Sequence, residues 1–193
     1  MSKYEIMNGN KHLIVSFGGH ALQFGGILPF EFLNYLSSTY ATCDLLFFLD
    51  KKQCWYHEGI EDLTTSIEET VVYLNQLVQK YEKVLFMGTS AGGYAALLFG
   101  SLCQVPGVLC FIPQTILKNP KNADYSDLKS IINAKTTYVV FGNARIENPE
   151  DLHHISHCEH IDCFPNVTLR RMESSLKELR DSGAFKDMID SFF

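Results

Sequence analysis

Short apolar runs at 12–17, 43–49, 84–87, 108–112, 137–141 and 167–172 alternate with longer segments in which apolar residues recur every three or four positions. Brief runs rich in aliphatic and aromatic residues suit strands covered on both faces. Their alternation with helical period predicts a mostly parallel sheet with helices packed on either side. A weaker run at 4–7 adds a candidate edge strand.

The helical segments differ in character. In 67–81 a stripe runs through Ile67, Val71, Leu74, Leu77 and Val78, and in 29–38 one runs through Phe30, Leu33, Tyr35 and Leu36. Both read as amphipathic helices. Segment 91–102 is rich in small residues and apolar all round, which suits a helix buried in the middle of the protein. Segments 128–133, 149–158 and 174–193 complete the set, with Gly183 as a break in the last. No repeat or linker divides the chain, so the expectation is a single α/β domain over 1–193, a three-layer sandwich on a sheet of about six strands. Segment 113–126, with the turn chemistry of Lys118, Asn119, Pro120, Lys121 and Asn122, leaves room only for a small lid.

Composition narrows the function. The 193 residues are 46% hydrophobic and 20% charged, with 16 basic and 22 acidic side chains and a formal charge of −6. That balance supplies no basic surface for a nucleic acid. No run approaches the ~20 apolar residues of a membrane span. The six cysteines form no CxxC pair and no secretory leader precedes them, so the expected location is the cytoplasm.

The chemistry-bearing feature is Gly88-Thr89-Ser90-Ala91-Gly92-Gly93-Tyr94, a GxSxG between a strand and a small-residue helix. In that context the glycines let the chain turn sharply and hold the Ser90 hydroxyl above the sheet edge, while the helix start aims free N–H groups at a developing oxyanion.

This segment resembles the nucleophile turn of the α/β-hydrolase superfamily. Phe17-Gly18-Gly19, Phe24-Gly25, Phe30-Glu31-Phe32, Asp50, Trp55-Tyr56-His57, Gly59, Pro113-Gln114-Thr115 and Asp151-Leu152-His153-His154 extend the likeness to the small hydrolase-like domains found beside glycan-assembly enzymes. The resemblance implies a minimal α/β-hydrolase fold, Ser90 as nucleophile, an oxyanion hole from the N–H groups of Ala91 and of Gly19 or His20, and Asp151 as the acid. It also implies a histidine after the last strand, where the chain has Glu173, Ser174 and Ser175 and no histidine beyond His160.

A serine hydroxyl without a base is a poor nucleophile. His154, three residues after Asp151 and on the same face if 149–158 is helical, is the first choice of base. An Asp50, His57, Ser90 set is a second arrangement, and Glu173 in a polar role without any imidazole is a third. His153, His157, Cys158, His160 and Cys163 include ligand types that suit zinc, yet their spacing matches no standard metal motif, so no metal is expected. Trp55, Tyr56 and His57 form a candidate aromatic wall for substrate, and Gln114 could reach the site from the end of its strand. The expectation is a serine esterase or acyltransferase acting without a cofactor on a small or carbohydrate-linked ester. The alternative is a hydrolase-like binding or accessory protein that lacks the histidine.

Overall fold

The computed structural model describes residues 1–21 and 30–193. Seven strands form one sheet: β1 (Lys3–Ile6), β2 (His12–Phe17), β3 (Cys43–Phe48), β4 (Lys83–Thr89), β5 (Gly107–Phe111), β6 (Thr137–Asn143) and β7 (Val167–Met172). Their spatial order is β1-β3-β2-β4-β5-β6-β7. All neighbours are parallel except β1, which pairs antiparallel with β3. The sheet is thus the expected set of six parallel strands with the weak N-terminal run added at one edge.

Side-chain alternation along the strands builds two apolar layers. Leu13, Val15 and Phe17 of β2 face a cluster with Phe48, Phe86, Val108 and Val140. The helices α2 (Ile67–Val78) and α3 (Ala91–Leu102) pack into that layer through Leu74, Ala95 and Phe99. Ile14 of β2 faces the opposite cluster with Phe47, Leu85, Met87 and Phe111. That layer is closed by Leu36 of α1 (Leu33–Thr39) and by Phe185 and Ile189, which lie beyond Gly183 near the C-terminus. Among the described residues no helix is long and apolar enough to cross a membrane.

Several helix limits move from their sequence positions. The segment 29–38 contributes a helix only from Leu33, after Phe32 at φ 63°, and Pro29 lies outside the described residues. Residues 128–131 form a 3₁₀ turn. The 174–193 segment breaks at Gly183 as expected, φ 85°, into α5 (Leu176–Asp181) and α6 (Ala184–Asp190) once the four-residue α4 (Ser156–Glu159) is counted. Only α4 is helical within 149–158. The reason is side-chain competition for backbone donors: Asn148 accepts the N–H of Glu150 at 3.0 Å and Asp151 accepts that of His153 at 2.9 Å. Such turns give the backbone an alternative to helix.

Segment 113–126 folds back on itself, with the Leu117 N–H on the Ser126 carbonyl at 2.8 Å. It is anchored to the body where the Asn122 N–H reaches His57 and the Tyr125 carbonyl accepts the Tyr94 hydroxyl.

Candidate active site

The turn from β4 into α3 carries Ser90 at φ 53° and ψ −119°, a backbone region that costs a non-glycine residue on the order of 1–3 kcal/mol. The surroundings impose it. The Ser90 N–H donates to the Phe111 carbonyl of β5 at 2.9 Å, and the Ser90 carbonyl accepts the Tyr94 N–H at 2.9 Å. Glycine is required on both sides because a Cβ at Gly92 would collide with the Phe17 carbonyl, and one at Gly88 with the Gly92 carbonyl. Ala91, the first residue of α3, has an N–H with no carbonyl available inside the helix.

The segment after β6 supplies the partners of Ser90. His153 Nε2 lies 2.9 Å from Ser90 Oγ. Its Nδ1 is 3.5 Å from Asp151 Oδ1, the same oxygen that accepts the His153 N–H. The structure therefore brings together Ser90, His153 and Asp151, and it does not bring His154 to the serine. His154 Nδ1 instead accepts the N–H of Ser156 at 3.1 Å and contacts its hydroxyl at 2.8 Å. The i,i+3 spacing that favoured His154 presupposes helix at Asp151. In the turn actually formed, the residue two positions on swings back over the carboxylate.

Gln114, just beyond β5 and buried, joins the same point. Its Nε2 is 3.4 Å from His153 Nε2, and its Oε1 accepts the Trp55 indole N–H at 2.7 Å. The Trp55 ring also packs on His20, with centroids 4.6 Å apart.

Gly19, His20, Ala21, Phe30, Glu31, Thr89 and Ser90 line a cleft of about 480 Å³ that opens beside the serine. Glu31 is half-buried in the wall of this cleft, and burial pushes its carboxyl up to about 7. The backbone N–H groups of Thr89, at 3.3 Å, and of Gly19 oppose that shift. Among the described residues the amides of His20 and Ala91, the other two expected oxyanion residues, meet no acceptor.

Tyr56, Asp50 and His57 make hydrogen bonds away from Ser90. Tyr56 is fully buried, and its hydroxyl donates to the Gly18 and Phe48 carbonyls at 3.0 and 3.2 Å. Asp50 accepts the N–H groups of Cys54 and Tyr56 at 2.7 and 2.9 Å. His57 belongs to a buried chain in which Asn122 N–H donates to Nδ1 at 3.0 Å, Nε2 meets the Tyr94 hydroxyl at 2.7 Å, and that hydroxyl donates to the Tyr125 carbonyl at 2.7 Å. Burial lowers the His57 pKa, in keeping with the neutral ring that this chain demands. The Asp50, His57, Ser90 arrangement thus has its carboxylate and imidazole already engaged elsewhere. His57→Ala should lower stability by about 1–3 kcal/mol, the range for a buried donor and acceptor left unpaired, read as a fall in the urea midpoint with an unchanged slope.

The zinc grouping does not assemble. Cys158 Sγ faces the Pro113 carbonyl at 3.4 Å, His160 Nε2 meets Asp127 at 3.0 Å, and the His157 carbonyl accepts the Thr115 hydroxyl. Among the described residues no three histidine, cysteine or acidic side chains converge as a metal site.

No protein-family model matches the sequence, and no curated protein does. Solved structures do. The capsule O-acetyltransferase of Neisseria meningitidis serogroup A, in complex with CoA, matches with a TM-score of 0.66 at 16% identity over 97% of this chain and 90% of that one. An α/β-hydrolase enzyme from the metagenome of sediments of the Mar Chica lagoon matches with a TM-score of 0.59 at 14% identity over 99% and 93%. The chain has the α/β-hydrolase fold. A glycosylation-associated protein complex of Streptococcus agalactiae shares it, with a TM-score of 0.60 at 14% identity over 99% of this chain and 44% of that one.

Within this α/β-hydrolase fold the departure is local. The carboxylate and the imidazole both come from the segment after β6, and the end of β7 contributes neither. Sequence reasoning named His153 and Glu31 but did not place the first beside Ser90 or the second in the cleft wall. The turn signal of Asn148 and Asp151 could have shown that 149–155 is not helix, and a lone carboxylate between Phe30 and Phe32 could have marked Glu31 as partly buried.

Proposed function

We propose that this protein is a serine esterase or acyltransferase that works through an acyl-enzyme on Ser90. The observation that carries the reading is the 2.9 Å contact between Ser90 Oγ and His153 Nε2, with Asp151 on the far side of the ring. Nucleophile, base and orienting acid in that geometry define the role of each residue whatever their chain order.

In the first half-reaction Ser90 Oγ attacks the ester carbonyl carbon while His153 Nε2 takes the hydroxyl proton. The carbonyl oxygen becomes an oxyanion facing the N–H groups of Ala91 and His20, each such donor being worth roughly 3 kcal/mol in the transition state. The bond from the carbonyl carbon to the alcohol oxygen then breaks, and His153 returns the proton to the departing alkoxide. Water or an acceptor hydroxyl repeats the sequence in reverse, its proton passing to His153 as it attacks the acyl-enzyme. Asp151 holds the ring and offsets the imidazolium charge.

The substrate proposed is a small or carbohydrate-linked ester. The likeness to a capsule O-acetyltransferase supports it, and so does a cleft wide enough to admit more than an acetyl group beside the serine. The accessory-protein reading drew on a missing histidine. The His153 imidazole within hydrogen-bond reach of Ser90 supports the enzyme reading instead.

A fluorophosphonate probe tests the proposal. It should label the wild-type protein stoichiometrically and leave Ser90→Ala unlabelled, with intact mass showing one adduct. Wild-type protein that stays unlabelled across neutral and mildly alkaline pH would refute the enzyme reading.

A further inference from the structure

A hydroxyl and a carboxamide meet at one atom of His153. Ser90 Oγ lies 2.9 Å from Nε2 and Gln114 Nε2 lies 3.4 Å from it. Which end of the Gln114 amide faces the imidazole follows from chemistry. An indole N–H can only donate, so the carboxamide atom 2.7 Å from Trp55 Nε1 is the oxygen, and the NH₂ group points at His153. An NH₂ group has only protons to offer. The ring nitrogen it faces must therefore present a lone pair, which puts the ring proton on Nδ1, towards Asp151.

We infer that Gln114, held by Trp55, is a positioning residue that selects the Nδ1–H tautomer of His153 and so keeps the Nε2 lone pair turned to the Ser90 hydroxyl. Its consequence for catalysis rests on the esterase or acyltransferase reading; the tautomer itself does not.

The acid alone has a weak hold here. Asp151 and His153 are 44% and 36% exposed and their closest approach is 3.5 Å, so water competes for both and the attraction is screened. Gln114, by contrast, is 6% exposed and its amide is locked by the indole. A donor fixed in a buried position constrains the ring from the side the carboxylate cannot reach. The expected substrate-contacting role of Gln114 gives way to one exerted through His153, and Trp55 acts one step further back.

Imidazole ¹⁵N chemical shifts give the deciding readout, with the His153 signals assigned by their absence in His153→Asn and recorded across a pH series. Wild-type protein should show a protonated Nδ1 and a bare Nε2. Gln114→Leu removes the donor at similar volume and should move the population towards Nε2–H. Gln114→Glu keeps an acceptor for Trp55 but puts an oxygen against Nε2, and should move it further. On an activated ester, Gln114→Leu should lower kcat about five- to tenfold, the worth of roughly one neutral hydrogen bond, with KM unchanged.

An Nε2–H tautomer in the wild type, or an unchanged tautomer in both variants, overturns the inference. So does a loss confined to KM, which would make Gln114 a substrate contact. If the probe fails to label Ser90 while the tautomer still responds to Gln114→Leu, the inference stands and the proposed function falls.

Discussion

His153→Ala should lower kcat/KM on an activated ester by on the order of 10⁴- to 10⁶-fold, the range seen when the base of a serine triad is removed, whereas His154→Ala should leave it within about threefold. The two residues are adjacent, similarly placed in the same turn and identical in chemistry, so composition, folding and bulk electrostatics change alike in the two variants. What differs is direction. His153 reaches Ser90 at 2.9 Å, while His154 is occupied with Ser156. Fluorophosphonate labelling rates should follow the same order, since the probe also needs the serine activated. Equal losses in the two variants would remove the assignment, and a loss confined to His154→Ala would reverse it. Asp151→Asn should fall between the two, because the carboxylate orients the ring and offsets its charge but accepts no proton.

The part of this molecule legible in its sequence is the part governed by short-range pattern. Continuous apolar runs located β2 to β6 because strands buried on both faces admit little else, and β7, an edge strand with Thr168, Arg170 and Arg171 exposed, carried only a partial run. Ser90 stood out because a glycine on either side is a steric requirement of the close approach between α3 and β2. Asp151 was also legible, although its aspartate type suits a turn as well as a triad.

The pairing of that acid with an imidazole was not legible. It depends on whether 149–155 coils as a helix or turns, and the balance is decided by two side-chain contacts, Asn148 to Glu150 N–H and Asp151 to His153 N–H. A shift of one residue in the choice of histidine is the size of that local ambiguity. Gln114, Trp55 and His57 were located near the site by position alone, and their roles follow from which donor meets which acceptor across 59 residues between Trp55 and Gln114 and 65 between His57 and Asn122. No periodicity encodes contacts of that range.

Glu31→Gln should raise stability at pH 8 by up to about 3 kcal/mol and change it little near pH 4. Burial pushes the half-buried carboxyl up to about 7 in the folded protein, against 4.5 for the free side chain. Between those values the native state holds a proton that the unfolded chain has released, so stability falls as pH rises through the window from about 4.5 to about 7. Roughly 1.4 kcal/mol per pH unit over that window gives the upper figure, and water in the adjoining cleft reduces it. Glutamine keeps one oxygen for the Thr89 or Gly19 N–H and carries no charge to desolvate. Urea unfolding of both proteins at several pH values isolates the effect, because contributions from all other groups cancel in the difference between variant and wild type. A difference that stays flat from pH 5 to pH 8 would show that Glu31 does not titrate there. The predicted slope also accounts for where the residue sits. A carboxylate that weakens the fold at neutral pH, in the wall of the cleft beside Ser90 and against the amide of Gly19, is the kind of local cost found where a site's geometry outweighs stability.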